Sequence, residues 1–306
     1  MKIAFAYPGQ GAQKIGMAKD FVDTFDWAKE MISEASEASG IDMEKLLFEE
    51  NDDINITEYT QPALVTACMI MTKALTDEGI EPDITGGLSL GEYCALVASG
   101  AMTYADAVKL TRIRGSLMSN TVPAGEGTMA AIVGLDSDTI ESVIKDIDGC
   151  TMANYNCPGQ IVITGKTESV EKAMPLLSEA GARKVVQLKV SGPFHSPMLK
   201  PAGDELRKYL DDAAISDLKV PYVANCSAEI VSDASQIRDL LQKQVSSPVM
   251  WEQSLYKMKE YGVGLIVEIG PGKTIAGFVK KTTPEIQVIN VSSVEDISKV
   301  KEALNG

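Results

Sequence analysis

Two short stretches of the sequence contain residues that together could carry out covalent catalysis. Residues 87–91 read GLSLG, which fits the pattern G-x-S-x-G around Ser89. In enzymes, such a serine lies on a sharp turn between a strand and a helix, where its hydroxyl is exposed near the N-terminus of the helix. A serine needs a neighbouring base to act as a nucleophile. The chain contains one histidine, His195 in SGPFHSPM, so a serine–histidine mechanism has to use it.

The pattern alone leaves other interpretations open. A chain with 25 glycines can contain G-x-S-x-G by chance, as a turn without activity. His195 can equally be a packing or surface histidine, and a serine–lysine pair is a further alternative, although no lysine lies near Ser89 in the sequence. The context favours the nucleophile, because a short strand is predicted before the turn and a helix directly after it.

A cation is predicted inside the core. Residues 103–120 have helical periodicity, and Thr103 with Asp106 forms a capping box. At about 100° per residue, Arg114 falls inside the apolar stripe that contains Leu110. A buried guanidinium needs an anionic partner. That partner is either a structural glutamate or a substrate carboxylate, and the second would select a diacid acyl group through a bidentate contact.

The elements that position these residues alternate between strands and helices. An apolar strand at 2–7 ends at PGQGAQ, where Gln10 or the loop amides can donate to an oxyanion. A helix with Thr60 as its cap and Pro62 in its first turn follows, and then the strand before Ser89. This alternation indicates an α/β fold. Residues 124–191 instead have the order β-α-β-β-α-β of a ferredoxin-like unit, which predicts a small subdomain inserted into the larger one.

The composition limits the class of protein. With 306 residues, 45% of them hydrophobic, the chain suffices for one large or two modest domains. Its formal charge of −15 argues against nucleic acid or anionic membranes as partners. Five cysteines without C-x-x-C spacing predict reduced thiols rather than a zinc site or a disulfide framework. The sequence has no long apolar run and its N-terminus reads as a strand, so we predict a cytoplasmic protein.

The ordered motifs together resemble the malonyl-CoA–acyl carrier protein transacylases, the freestanding acyltransferases of dissociated fatty acid synthesis. The resemblance covers essentially the whole chain. It rests on PGQGAQ at 8–13, TQPAL at 60–64, GLSLGEY at 87–93, RGSLM at 114–118, ANYNCPGQIVITG at 153–165, SGPFHSPM at 191–198, SSPVMW at 246–251 and EIGPGK at 268–273. It implies an α/β-hydrolase-like catalytic core at 1–123 and 192–306, with the inserted ferredoxin-like (βαββαβ) subdomain at 124–191.

The resemblance also implies a ping-pong reaction that supplies extender units for fatty acid synthesis. Ser89 would take the malonyl group from malonyl-CoA with His195 as general base, and the phosphopantetheine thiol of acyl carrier protein would then remove it. The backbone amides of Gln10 and Leu90 would hold the oxyanion. The backbone carbonyl of Gln244 would orient His195 in place of an acid.

Four residues are implied to bind the substrate. Arg114 would bind the malonyl carboxylate, and Gln61 matches a polar residue near the site. The bulk of Phe194 would disfavour branched acyl groups, and Met118 of the RGSLM stretch is assigned to the same pocket. No cofactor or metal is expected, since malonyl-CoA and the carrier protein are substrates. Relatives of this kind are usually monomeric, so a monomer is expected here as well.

The sequence departs from the family pattern at Leu88, where relatives commonly have histidine. We expect activity to survive, because the motif that contains His195 is intact.

An acidic carrier protein would need local basic residues on this acidic chain, and the candidates are Arg183, Lys184, Lys189, Lys280 and Lys281. A serine hydrolase and a non-catalytic carrier-protein-binding subunit are the competing functions. A buried Arg114 argues against the hydrolase, and the intact site residues argue against the binding subunit.

Overall fold

The computed structural model describes residues 1–305, so Gly306, the last residue of the expected core, lies outside the described residues. The strands are β1 (Lys2–Tyr7), β2 (Ile84–Gly87), β3 (Gly127–Val133), β4 (Cys150–Cys157), β5 (Gln160–Lys166), β6 (Lys184–Gln187), β7 (Tyr222–Val223), β8 (Ile230–Val231), β9 (Val263–Ile269) and β10 (Gln287–Val291). The helices are α1 (Lys19–Thr24), α2 (Asp26–Ser39), α3 (Met43–Phe48), α4 (Thr57–Asp77), α5 (Gly91–Ala98), α6 (Tyr104–Asn120), α7 (Ser137–Ile144), α8 (Thr167–Glu179), α9 (Lys200–Asp212), α10 (Ile237–Gln244), α11 (Trp251–Glu260), α12 (Thr274–Thr282) and α13 (Asp296–Asn305). The predicted α/β class is confirmed.

The larger sheet is buried on both faces. Its strand order is β10-β9-β1-β2-β7-β8, and every neighbouring pair is parallel except β7 and β8. Along β1, Phe5 and Tyr7 pack into one apolar cluster, whereas Ala4 and Ala6 pack into another on the opposite face. A strand covered on both sides needs apolar residues at every position, which explains the continuous sequence IAFAY.

The central strands of this sheet bring two distant loops together. Tyr7 of β1 pairs with Gly87 of β2, so both strands end at the same edge. The loop after β1 contains Gln10, and the turn after β2 contains Ser89. Ligands bind at this edge of parallel sheets, where the loops at the carboxyl ends of the strands converge.

The smaller sheet is antiparallel and has the strand order β4-β5-β3-β6. One of its faces packs against α7 and α8 in an apolar cluster that contains Ile132 and Ile163. From the other face, Met129 and Val162 join the main core. The small sheet is therefore covered by its own helices on one side and by the rest of the chain on the other.

The predicted start of α4 is wrong. The helix begins at Thr57, after extended Ile56, so Thr60 is not its cap and Pro62 lies inside the helix. The hydroxyl of Thr60 instead donates to the backbone carbonyls of Ile54 and Ile56. Proline is most common at the first helical position, and here the chain forms an extra turn before it.

The prediction for α6 is confirmed at its start and at Arg114. Thr103 caps the helix by accepting a hydrogen bond from the backbone amide of Asp106 at 3.1 Å. Arg114 lies on the buried face, together with Thr111 and Met118. All five cysteines are free thiols in the described residues, and four of them are buried. Across residues 1–305, no helix is long and apolar enough to cross a membrane.

Candidate active site

Ser89 lies on the sharp turn between β2 and α5 with a left-handed backbone, at φ 55°. A residue with a Cβ loses about 1–2 kcal/mol in this region, so the surroundings must hold the turn in place. The flanking glycines make room for it. A Cβ on Gly87 would overlap the carbonyl group of Gly91, and a Cβ on Gly91 would overlap the carbonyl oxygen of Tyr7. Both glycines of G-x-S-x-G are therefore steric requirements of the turn, which a chance match of the pattern does not explain.

His195 is positioned to act as a base on Ser89. Its Nε2 lies 2.8 Å from Ser89 Oγ, and its Nδ1 lies 2.9 Å from the backbone carbonyl oxygen of Gln244. Because a carbonyl oxygen only accepts hydrogen bonds, Nδ1 carries the proton and Nε2 presents its lone pair to Ser89. Burial, and after it repulsion from the Arg114 guanidinium, lowers the pKa of His195 to about 4. The imidazole is therefore neutral at pH 7 and free to accept a proton.

Arg114 is a buried cation without a direct ion pair, although Glu92 attracts it from a longer distance. It is 1% exposed. Its Nη1 donates to Gln61 Oε1 at 2.6 Å, and its Nη2 donates to Gln244 Oε1 at 2.9 Å and to Ser89 Oγ at 3.1 Å. Within residues 1–305 no acidic side chain forms an ion pair with it, and its Nε has no hydrogen-bond partner. The interpretation of Arg114 as one half of a structural arginine–glutamate pair is therefore wrong.

The contact between Arg114 and Ser89 also fixes where the serine proton points. A guanidinium can only donate hydrogen bonds, so Ser89 Oγ accepts from Nη2 of Arg114. The hydroxyl proton is then directed to the remaining neighbour of Oγ, which is Nε2 of His195. This is the arrangement from which the hydroxyl can be deprotonated.

Two free backbone amides lie beside the serine. Gln10 and Leu90 both line the same cavity as Ser89. In the described part of the chain, the amide of neither residue donates to another backbone group. The amide of Leu90 lies at the N-terminus of α5, where the helix dipole favours negative charge. Unpaired amides at this position are the donors that a developing oxyanion requires.

The cavity in front of Ser89 has a volume of about 230 Å³ and is lined mainly by apolar side chains. Met118 and Phe194 lie in its wall, and the small sheet contributes Met129 and Val162. Across residues 1–305, no group of three or more His, Cys, Asp and Glu side chains is arranged to hold a metal ion. A largely apolar cleft with a few convergent polar groups is typical of a small-molecule site.

The structure brings all nine predicted site residues to one place. Gln244 lies behind His195 and Arg114 and contacts both. The other eight line the cavity: Gln10, Gln61, Ser89, Leu90, Arg114, Met118, Phe194 and His195. Their individual roles in catalysis and substrate binding stay predictions.

Two buried residues next to the site are not identified by the sequence reasoning. The side-chain oxygen Oδ1 of Asn225 accepts from the backbone amide of Ser89 at 2.6 Å, and its Nδ2 donates to the carbonyl oxygen of Gly87 at 2.7 Å. Oε2 of Glu92 accepts from Gln244 Nε2 at 2.7 Å. Glu92 lies in the GLSLGEY stretch, so the sequence could have predicted that it is close to the site. The sequence could not have predicted which residues it contacts. Asn225 comes from a loop after β7 and carries no recognisable motif.

The chain is similar throughout its length to known acyltransferases. The model of a family described as "Acyl transferase domain" matches residues 4–303. The malonyl CoA-acyl carrier protein transacylase of Bacillus subtilis (strain 168) is 42% identical, with 99% of this chain and 97% of that protein covered. The crystal structure of the enzyme of the same name from Clostridium perfringens ATCC 13124 has a TM-score of 0.95 at 41% identity, covering 100% of this chain and 98% of that one. A malonyl-transacylase solved in complex with its type II polyketide synthase acyl-carrier protein has a TM-score of 0.96 at 34% identity, covering 99% and 100% of the two chains.

Proposed function

Since this chain belongs to the acyl transferase family, among the malonyl CoA-acyl carrier protein transacylases, and is thus an acyltransferase, we propose that it moves a malonyl group from malonyl-CoA to the phosphopantetheine thiol of acyl carrier protein. The transfer proceeds through a malonyl ester on Ser89. It supplies extender units for fatty acid synthesis.

The observation that carries this proposal is the unpaired guanidinium of Arg114 at 3.1 Å from Ser89 Oγ. In a malonyl thioester, two carbon–carbon bonds separate the free carboxylate from the carbonyl carbon that the serine attacks. A cation this close to Oγ is therefore within reach of that carboxylate when the thioester carbonyl is in position to react. Within residues 1–305 the buried guanidinium has only the longer-range attraction of Glu92 and no direct ion pair, so a malonyl carboxylate would supply a direct charged partner on binding.

The first half-reaction follows from the hydrogen bonds of the free site. Nε2 of His195 takes the proton of Ser89 while Oγ forms a bond to the thioester carbonyl carbon. The negative charge on the carbonyl oxygen is stabilised by the amides of Gln10 and Leu90. The C–S bond then breaks, and the sulfur of CoA leaves with the proton held by His195, which gives malonyl-Ser89 and free CoA.

The second half-reaction repeats these steps with the thiol of the carrier protein. His195 takes the thiol proton, the sulfur attacks the ester carbonyl, and Oγ of Ser89 leaves with that proton. Gln244 holds the imidazole in the same tautomer throughout through its backbone carbonyl. No step requires a cofactor or a metal, because every proton and electron pair is exchanged between the substrates, Ser89 and His195.

The wall of the cavity supports a preference for small dicarboxylic acyl groups. Phe194 is 7% exposed and Met118 is 2% exposed, and both line the space in front of Ser89. Gln61 accepts a hydrogen bond from Nη1 of Arg114. This contact fixes the orientation of the guanidinium plane, along which a carboxylate would bind. We propose that Phe194 and Met118 limit substituents on the middle carbon of the acyl group.

The partner in the second half-reaction is proposed to be an acyl carrier protein. The relative solved with its acyl-carrier protein covers nearly the whole of this chain, which supports the same kind of partner here. The five candidate docking residues at 183, 184, 189, 280 and 281 are all exposed. The chain is expected to act as a monomer.

The finer architecture is also proposed. An α/β-hydrolase-like core at 1–123 and 192–306 is supported by the parallel sheet with Ser89 at its carboxyl edge. A ferredoxin-like subdomain at 124–191 is supported by the antiparallel order β4-β5-β3-β6 and by the cluster that α7 and α8 bury against it.

Intact-protein mass spectrometry after mixing with malonyl-CoA tests the proposal. Wild type should gain one malonyl group, Ser89→Ala should gain none, and carrier protein with a phosphopantetheine arm should remove the adduct. Release of CoA without transfer to the carrier protein would point to a hydrolase. Neither an adduct nor CoA release would point to a binding subunit or to another acyl donor.

A further inference from the structure

The strained turn at Ser89 is held from both sides by two buried side chains. Asn225 Oδ1 accepts from the amide nitrogen of Ser89 at 2.6 Å. Gln244 Nε2 donates to the carbonyl oxygen of Ser89 at 2.8 Å. Both polar groups of this left-handed residue are therefore occupied, and both are occupied by side chains that are 0% exposed. A conformation of this kind persists only where its surroundings determine it.

The two residues that hold Ser89 share one acceptor. Glu92 Oε2 accepts from Gln244 Nε2 at 2.7 Å and from the backbone amide of Asn225 at 3.2 Å. Glu92 is itself 0% exposed. It lies in the first turn of α5, three residues after the serine. One carboxylate oxygen therefore connects the two groups that fix the nucleophile.

The same carboxylate acts indirectly on the other reacting groups through Gln244. By accepting from Nε2, Glu92 determines which end of the Gln244 amide faces it, so Oε1 is turned to Arg114 and accepts from Nη2 at 2.9 Å. The backbone carbonyl of Gln244 accepts from His195. The serine, the imidazole and the guanidinium are thus all oriented by residues that Glu92 holds.

Stability alone does not explain a carboxylate at this position. Burial raises the pKa of Glu92 to about 7, although hydrogen bonds from Gln244 and Asn225 and the charge of Arg114 oppose the shift. Its other oxygen, Oε1, is buried without a hydrogen-bond partner. Burying a carboxyl group with one unsatisfied oxygen is unfavourable, and this cost points to a role of Glu92 in the reaction.

We propose that Glu92 is a positioning residue for acyl transfer: through Oε2 it holds Asn225 and Gln244 where they fix the turn at Ser89, the imidazole of His195 and the guanidinium of Arg114. The inference rests on the proposed function for its substrate. It does not require Glu92 to touch that substrate.

Two variants separate the acceptor from the charge. Glu92→Gln keeps an oxygen where Oε2 lies, whereas Glu92→Leu has similar bulk and leaves Gln244 and Asn225 without an acceptor. We expect single-turnover acylation by malonyl-CoA to fall at least 100-fold in Glu92→Leu and less than tenfold in Glu92→Gln at pH 8. Asp296→Asn is the matched control. It removes a buried carboxylate that accepts from the amides of Ser292 and Ser293, away from the cavity, and should leave acylation unchanged.

The pH dependence distinguishes positioning from a purely structural role. The titratable groups that interact with Glu92 are Arg114, Tyr93, Tyr222 and Cys226, of which only Arg114 is charged. Arginine stays protonated, and burial raises the pKa of both tyrosines and of Cys226, so Glu92 is the group among them that titrates between pH 6 and 8. The anion is the stronger acceptor. Wild-type acylation should therefore rise several-fold across this range, while Glu92→Gln, a fixed copy of the protonated acid, should stay level.

A serine-directed fluorophosphonate makes the result independent of the substrate. Oγ of Ser89 forms a bond to phosphorus, fluoride leaves and His195 takes the proton, so labelling requires no malonyl carboxylate. If wild type is labelled but gains no malonyl group, the proposed function fails and the labelling rates still test Glu92. A folded Glu92→Leu labelled at the wild-type rate, or a rise between pH 6 and 8 that persists in Glu92→Gln, would overturn the inference.

Discussion

At the scale of single residues, the site orients its histidine with the backbone carbonyl of Gln244, where many serine enzymes use an acid. The pKa of His195 is lowered to about 4 mainly because the ring is buried. The unfolded chain therefore binds a proton on this residue between pH 6.5 and 4, while the folded chain does not. The contribution of the neutral His195 imidazole to stability is therefore complete above pH 6.5 and is lost as the pH falls towards 4.

We expect this linkage to lower the free energy of unfolding by about 2 kcal/mol between pH 7 and pH 5. Protonation of Glu92, whose pKa is raised to about 7 by burial, acts in the opposite direction in both proteins. The histidine contribution is therefore the difference between wild type and His195→Gln in the change of unfolding free energy from pH 7 to pH 5. Urea titrations of the two proteins at both pH values measure the difference. Equal changes in wild type and variant would show that the histidine titrates alike in the folded and unfolded states.

Replacement of Arg114 should change selectivity more than reactivity. Arg114→Ala should lower kcat/KM for malonyl-CoA by about 10- to 100-fold, since a hydrogen bond to a charged group contributes ~1.5–3 kcal/mol. Acetyl-CoA has no carboxylate, so its kcat/KM should change much less. Arg112→Ala is the control, because Arg112 is paired with Glu58 at the helix surface. Equal losses for both thioesters would contradict a carboxylate-binding role.

Leu88 should have little effect on the rate. Its half-buried side chain packs against the apolar cluster on one face of the large sheet. We expect Leu88→His to change the steady-state transfer rate by less than tenfold. A gain of several orders of magnitude would mean that leucine limits the enzyme.

At the scale of elements, the turn between β2 and α5 depends on its glycines. Gly91→Ala should lower the free energy of unfolding by about 2–3 kcal/mol, because the new methyl group would overlap the carbonyl of Tyr7. Gly277→Ala in α12 has open space around it and should raise stability by about 0.5–1 kcal/mol. Chemical denaturation of both variants checks the pair. A Gly91→Ala protein as stable as wild type would show that α5 and β1 can move apart.

The elements around the site differ in how far the sequence predicts them. The helix α6 is predictable because its cap and its apolar stripe are local features, and the stripe places Arg114 inside. The start of α4 is missed because Pro62 lies a turn further into the helix than proline usually does. The bracing of Ser89 by Asn225 is not predictable from the sequence, since 136 positions separate the two residues and asparagine is common in loops.

At the scale of the whole molecule, the net charge of −15 opposes the approach of an acidic protein. Reversing the charge of Arg183, Lys184, Lys189, Lys280 and Lys281 should therefore raise KM for the carrier protein about tenfold at low salt. KM for malonyl-CoA should change less, and added salt should reduce the difference. Reversal of Lys29 and Lys45, which lie on helices that do not line the cavity, is the control. An unchanged KM for the carrier protein would exclude these residues as its docking surface.

The alternation of strands and helices in the sequence predicts the α/β class, and this class in turn predicts that Ser89 lies at the edge of the sheet. The cavity itself is not predictable in this way, because its wall combines residues next to the large sheet with Met129 and Val162 from the small sheet. Such a surface forms only when segments distant in the chain pack together.

The backbone of the reacting pair has a consequence for how this sequence can evolve. Four residues other than glycine have positive φ in the described chain, and Ser89 and His195 are two of them, at 55° and 59°. Glycine adopts this conformation without the steric penalty that a Cβ brings. Drift under selection for foldability alone would accept glycine at both positions and silence the enzyme. Serine and histidine at these positions therefore bring a steric cost that glycine would avoid, and their side-chain chemistry is what glycine cannot replace.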